Sequence, residues 1–86
     1  METVIVERRF EEEVTKEMLD ALAEGAASCL ELHNVTWKAS YIARDRKSML
    51  CFYEAPDAES VRQSQKLAGF PVSRVYMADG YTPPSQ

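Results

Sequence analysis

An α+β sandwich, one four-stranded antiparallel sheet with two helices on one face, is the fold class predicted for this 86-residue chain. Three observations predict it. Four stretches show a two-residue or doubly apolar strand pattern, two show the three-and-four spacing of a helix, and the order in which they occur is β-α-β-β-α-β. That order is the split βαβ, or ferredoxin-like, arrangement. The length allows one domain, expected over residues 1–78, with a flexible or partner-dependent tail over 79–86.

Residues 3–10, TVIVERRF, set Val4, Val6, Arg8 and Phe10 against Thr3, Ile5, Glu7 and Arg9, a β-branched strand of period two. An acidic loop follows, and Thr15 is placed to cap a helix, with Val14 and Leu19 spaced as a hydrophobic staple across it. Leu19, Leu22, Ala26, Cys29, Leu30 and His33 fall on one helical face, and Asn34 is a plausible stop. Residues 35–43 alternate again, with Val35, Trp37, Ala39, Tyr41 and Ala43 expected on one side. A charged hairpin, Arg44-Asp45-Arg46-Lys47, leads into SMLCFYEA over residues 48–55. That run is apolar on both parities, as a central strand covered on both sides would be. Asp57 then caps a second helix with Glu59 in its first turn, and Val61, Ser64, Gln65 and Ala68 mark its inner face. Gly69 and Pro71 end it, and residues 72–78 make the last strand.

Two helices cover only one face of such a sheet, yet the strands carry apolar side chains on both. The uncovered face predicts association, most simply a two-fold homodimer.

Composition and charge exclude several classes. With 45% hydrophobic and 28% charged residues the chain is neither disordered nor of low complexity. No apolar run is long enough for a membrane span, and no signal-peptide pattern opens the chain, so a cytoplasmic protein is expected. The net charge is −4, divided as −6 over residues 1–33 and +2 over residues 34–86. With an acidic first half and no dense basic stripe, nucleic-acid binding is disfavoured. The run Glu11–Glu13 reads as a solvated loop, or otherwise as a cation-binding rim. Cys29 and Cys51 read as reduced thiols, since two cysteines do not make a disulfide framework.

From Val35 to Pro71 the chain resembles a family of small bacterial proteins of unknown function, sometimes labelled nickel-binding protein. The resemblance rests on Ser40-Tyr41 in the second strand and on Cys51-Phe52-Tyr53-Glu54-Ala55-Pro56 in the third. It rests also on Ala68-Gly69-Phe70-Pro71 with Arg74-Val75 after the second helix, and the opening VIVERRF is similar too. It implies a ferredoxin-like fold, a dimer and, in at least one branch, binding of Ni(II); it implies no established reaction. One departure stands out. Many relatives carry a His in a V-R-x-H pattern where this chain has Val61-Arg62-Gln63-Ser64, and imidazole is a preferred nickel ligand.

Several candidate sites follow from the residues. Cys29 and His33, four apart on a helix, can face one ion from successive turns, with Cys51, Glu54 or Glu7 as further donors. The bland reading makes Cys29 a core thiol and His33 a helix C-terminal residue with a favourable charge. Trp37, Tyr41, Cys51 and Tyr53, with Glu54 nearby, would line a ligand pocket if the second and third strands pair, or would simply pack the core and a dimer interface. Glu7, Arg8 and Arg9 are expected to meet Glu54 or Lys38 in an ion network at an edge or interface; otherwise Glu7 and Glu54 form an oxygen-ligand or acid/base pair.

For catalysis the support is thin: one His allows no Ser-His-Asp set, the three glycines form no phosphate loop, and neither CxxC nor HExxH occurs. The leading expectation is therefore a dimeric ligand-binding protein, with Ni(II) the candidate ion. One alternative is a small dimeric α+β-barrel oxidoreductase or isomerase using Tyr41 and Tyr53 as proton donors and Glu54 as base. The other is an interaction module without a ligand.

Overall fold

The computed structural model describes residues 1–69 and 71–84, with backbone only at 67 and 68. Phe70 of the expected Ala68–Pro71 run, and the side chain expected from Ala68 on the inner helix face, lie outside the described residues. The elements are β1 (Glu2–Arg9), α1 (Lys16–Leu32), β2 (Thr36–Ile42), β3 (Ser48–Ala55), α2 (Ala58–Ala68) and β4 (Arg74–Ala78). All strand pairs are antiparallel and the spatial order is β2-β3-β1-β4. The ferredoxin-like α+β fold is thus the observed one. β2 and β4 start one and two residues later than the alternation predicts, and residues 79–84 form neither helix nor strand.

Side-chain chemistry sets the element ends. The Thr15 hydroxyl accepts from the Met18 N–H and the Asp57 carboxylate from the Ser60 N–H, so each helix begins on an orphan donor that is satisfied. α1 closes in a Schellman turn: the Asn34 N–H donates to Glu31 O and the Val35 N–H to Leu30 O, with Asn34 at φ +58°. That turn throws the chain into β2. α2 ends at Gly69, whose φ of +73° is left-handed and costs a residue without Cβ little.

The sheet has a covered and an uncovered face. Val4, Val6, Met49, Cys51, Tyr53 and Ala55 point to the helices and pack with Ala26, Leu30, Val35 and Val61 in one core. Ile5, Leu50, Phe52 and Tyr76 point the other way, where Leu50 is 39% and neighbouring Tyr41 69% exposed. Among the described residues, no helix is long and apolar enough to cross a membrane.

The expected face of β2 needs a correction. Trp37 lies opposite Tyr53, but Ala39 lies opposite Phe52, so Lys38 is an extra residue in a β-bulge. The bulge reverses the parity of everything after it. Trp37 faces the helices, Ala39 and Tyr41 face away, and Ser40 and Ile42 turn inward.

Candidate functional site

The polar centre of the molecule lies under the sheet. Arg8 shares its parity with Val4 and Val6, so its side chain enters the core, where it is 2% exposed. A guanidinium there is stable only if its N–H donors find acceptors, because a buried unsatisfied charge costs several kcal/mol. Its Nε donates to Cys51 Sγ at 3.3 Å and Nη1 to Pro71 O at 3.2 Å; Nη2 donates to Tyr53 Oη at 2.7 Å and also to Gln65 Oε1. Ser64, fully buried, donates to Val61 O and accepts from Gln65 Nε2, so the amide is held in the orientation Arg8 needs. One side chain thereby ties β1, β3, α2 and the approach to β4 together. Burial raises the Tyr53 phenol above its ordinary value, and the Arg8 charge acts against that rise.

The residues predicted for a common pocket divide between the two faces. Cys51 and Tyr53 belong to the Arg8 network, and Trp37 stacks on Tyr53 with ring centres 5.7 Å apart. The Trp37 indole N–H donates to the Ser40 hydroxyl at 2.8 Å. Tyr41 stands on the opposite face, edge-on to Phe52 at 5.7 Å. Glu54 lies on that face too, half exposed and 3.9 Å from Lys38. Tyr41, Tyr53 and Glu54 therefore do not meet as an acid/base set. Trp37 does line a groove of about 340 Å³ between α1 and β2, with Leu19, Ala23 and Met49.

The expected ion network is likewise rearranged. Glu7 pairs with Arg74 at 3.5 Å on the uncovered face, Arg8 is inside, and Arg9 is exposed on the uncovered side. The Tyr76 hydroxyl donates to Glu7, which raises its pKa, and Arg74 lies 4.7 Å over the Tyr76 ring. The burial of Arg8 and the role of Gln65 were missed from the sequence, although the parity of Arg8 with Val4 and Val6 was the available signal.

Cys29 and His33 lie on the last turns of α1, both half-buried, and both cysteines are free thiols. His33 is the C-cap, and its N–H donates to Cys29 O at 3.2 Å. Its Nε2 is buried with no hydrogen-bond partner among the described residues. No cluster of three or more His, Cys, Asp or Glu that could hold a metal occurs among them either.

A family model described as nickel responsive protein, SCO4226-like, matches residues 5–77. The chain belongs to that family. The crystal structure of SCO4226 from Streptomyces coelicolor A3(2) superposes with a TM-score of 0.83, covering 93% of this chain and 99% of that one at 16% identity. At that identity the likeness shows a shared fold. A search of curated proteins finds no match.

Within this family member, the fit of a nickel ion differs between the two candidate places. The buried network does not fit one: its centre already holds a guanidinium, and Ser64 is engaged with Val61 and Gln65. The end of α1 fits better, since it offers an imidazole nitrogen with no hydrogen-bond partner among the described residues, one turn from a thiol.

Proposed function

We propose that this chain is a small homodimeric binding protein of the cytoplasm whose ligand is a transition-metal ion, Ni(II) first. The observation that carries the reading is the buried Nε2 of His33, which has no hydrogen-bond partner among the described residues and lies four residues from the free thiol of Cys29, in a chain whose family is described as nickel responsive. Imidazole and thiolate are both donors that Ni(II) accepts. Two donors make half a site, so water or a second copy completes the coordination shell. Ni(II) would supply a fixed coordination geometry that links α1 to whatever completes that shell. The protein's own part is to hold His33 at the helix end through its backbone bond to Cys29 O, which fixes the ring's origin.

The homodimer is supported by the uncovered sheet face. Ile5, Leu50, Phe52 and Tyr76, with Tyr41 beside them, form an apolar, aromatic surface ringed by Lys38, Glu54, Glu7 and Arg74. An apolar centre inside a charged rim is the anatomy of a protein–protein interface.

Calorimetric titration of reduced, metal-free protein with Ni(II), against Zn(II) and Mg(II), tests the metal reading. Micromolar or tighter Ni(II) binding at a whole-number ratio per chain is expected, lost in the Cys29→Ser/His33→Ala double variant. Full affinity in that variant removes the site. No binding beyond that of surface carboxylates removes the metal and leaves an interaction module.

A further inference from the structure

The groove between α1 and β2 holds a hydroxyl that the fold does not use up. Lys38 is the extra residue of the bulge in β2, so Ser40 lies across from Cys51 with its side chain on the helix side of the sheet. Without the bulge Ala39 would take that side and Ser40 would face away, because one residue of register exchanges the two faces of a strand. Bulges re-aim side chains and are frequent beside binding sites. Here the side chain re-aimed is polar, and the space it enters is mostly apolar. The groove, of about 340 Å³, is bordered by Leu19 and Ala23 of α1 and by Trp37 and Met49 of the sheet.

Hydrogen-bond chemistry leaves one donor over. An indole N–H is a donor only, so in its 2.8 Å contact with Trp37 the Ser40 oxygen accepts. The Ser40 O–H then donates to no described residue. Accepting one bond polarises a hydroxyl toward donating the next, so the Trp37–Ser40 pair ends in a donor at the groove. The two charged residues that line the groove each have an ion-pair partner: Asp20 is 2.7 Å from Lys16, and Lys38 is 3.9 Å from Glu54. The groove opens on the helix side, so the apolar sheet face assigned to the dimer does not cover it. It borders the first half of α1, whereas Cys29 and His33 lie on the last turns. Neither a metal nor a second copy is needed to complete it.

We propose that this groove binds a small, neutral, flat apolar molecule with one carbonyl oxygen, its body packed against Leu19, Ala23 and Met49 and its oxygen accepting from the Ser40 O–H. The volume lies at the small end of the roughly 300–1,000 Å³ that small-molecule sites occupy, which suits a single ring. An ion is disfavoured, because the charges at the groove are already paired and an ionised group would lose its water against apolar walls. An added peptide strand is disfavoured as well, since β2 is an edge strand whose regular ladder the bulge interrupts.

The test uses the full ¹⁵N-labelled chain and two neutral probes of one shape. These are acetophenone and α-methylstyrene, which carries a carbon–carbon double bond in place of the carbonyl; benzoate is the ionised control. The chain has one tryptophan, so the Trp37 indole N–H gives a signal of its own beside Ser40. Saturable shifts of that signal and of the Ala23 and Ser40 amides are expected with acetophenone. Its affinity should exceed that of α-methylstyrene roughly three- to tenfold, the range of one net neutral hydrogen bond, and should exceed that of benzoate. Ser40 is half-buried on an edge strand, so Ser40→Ala keeps the fold and should make the two neutral probes equal. Ala23→Leu, which fills the groove from the helix and leaves Ser40 in place, should weaken both by about tenfold or more. The Cys29→Ser/His33→Ala variant should bind acetophenone unchanged, which separates this groove from the metal reading. Absence of saturable shifts at millimolar probe, equal affinity for acetophenone and α-methylstyrene, or benzoate binding as tightly as acetophenone would each overturn the proposal. So would a Ser40→Ala variant that keeps the preference, unchanged binding in Ala23→Leu, or shifts centred on Tyr41 and Leu50 on the uncovered face.

Discussion

The two faces of the sheet are made from the same four strands, often from adjacent residues, yet they do different work. On the covered face each polar group has a fixed partner: Arg8 is spread over Cys51, Tyr53, Gln65 and Pro71, and Ser64 steadies Gln65. On the other face the polar groups sit at the margin of an apolar centre, in contacts of 3.5 to 3.9 Å between half-exposed chains. Ion pairs of that exposed kind contribute about 0–1 kcal/mol each, while removing one partner from a buried charged network costs about 3–5 kcal/mol. Stability therefore resides mainly on the covered face.

The largest contrast is expected between the adjacent arginines. Arg8→Ala should lower the unfolding free energy by about 3–5 kcal/mol in urea, because three buried side-chain acceptors lose their donor. Arg9→Ala should stay within about 0.5 kcal/mol of the parent. Equal effects would erase the distinction between the faces.

The tyrosines give the next contrast. Tyr53→Phe, which leaves an Arg8 N–H without its acceptor, should cost about 1–3 kcal/mol, and Tyr41→Phe almost nothing. Tyr53 also fixes an alkaline limit. Its folded pKa is raised above its unfolded value of 10.0, chiefly by burial. The stabilising difference is fully present below about pH 10 and is lost as the pH rises from there toward the folded value. Urea midpoints between pH 9 and about 11 should fall in the parent and fall less in Tyr53→Phe.

Association should respond to the uncovered face alone. Leu50→Lys is expected to shift the sedimentation coefficient to that of a monomer while the urea midpoint of dilute protein barely moves. A variant that still dimerises would move the interface elsewhere.

The smallest effect concerns the start of α2. The Ser60 backbone N–H, and then its hydroxyl, hold the Asp57 carboxyl below its ordinary value. The cap stabilises above the ordinary Asp range and is lost as the pH falls through the lowered value. Asp57→Asn, which still caps but does not titrate, should flatten the acid limb of the stability profile.

Most of the fold was legible because it rests on local rules. Thr15 and Asp57 cap, Gly69 terminates, and the doubly apolar SMLCFYEA becomes a strand flanked by two others. The bulge at Lys38 was not legible, because one extra residue leaves no compositional trace while it turns Tyr41 away from Trp37. The predicted pocket split for that reason. Arg8 was half legible: its parity matched Val4 and Val6, but an ion network was the stronger expectation for Glu-Arg-Arg in a strand. What accommodates Arg8 inside is supplied by residues 43 to 63 positions away, and no local pattern announces them.

The decisive point is where a metal ion would settle in a chain whose polar interior is already filled by a guanidinium. Titrating ¹⁵N-labelled, reduced protein with Ni(II) and following each amide tests this directly. Shifts or broadening centred on Cys29 and His33, complete at a fixed ratio and absent in the Cys29→Ser/His33→Ala variant, are predicted. Perturbation centred instead on Cys51, Tyr53 and Gln65 would contradict the account, because the ion would then have displaced Arg8 from the core.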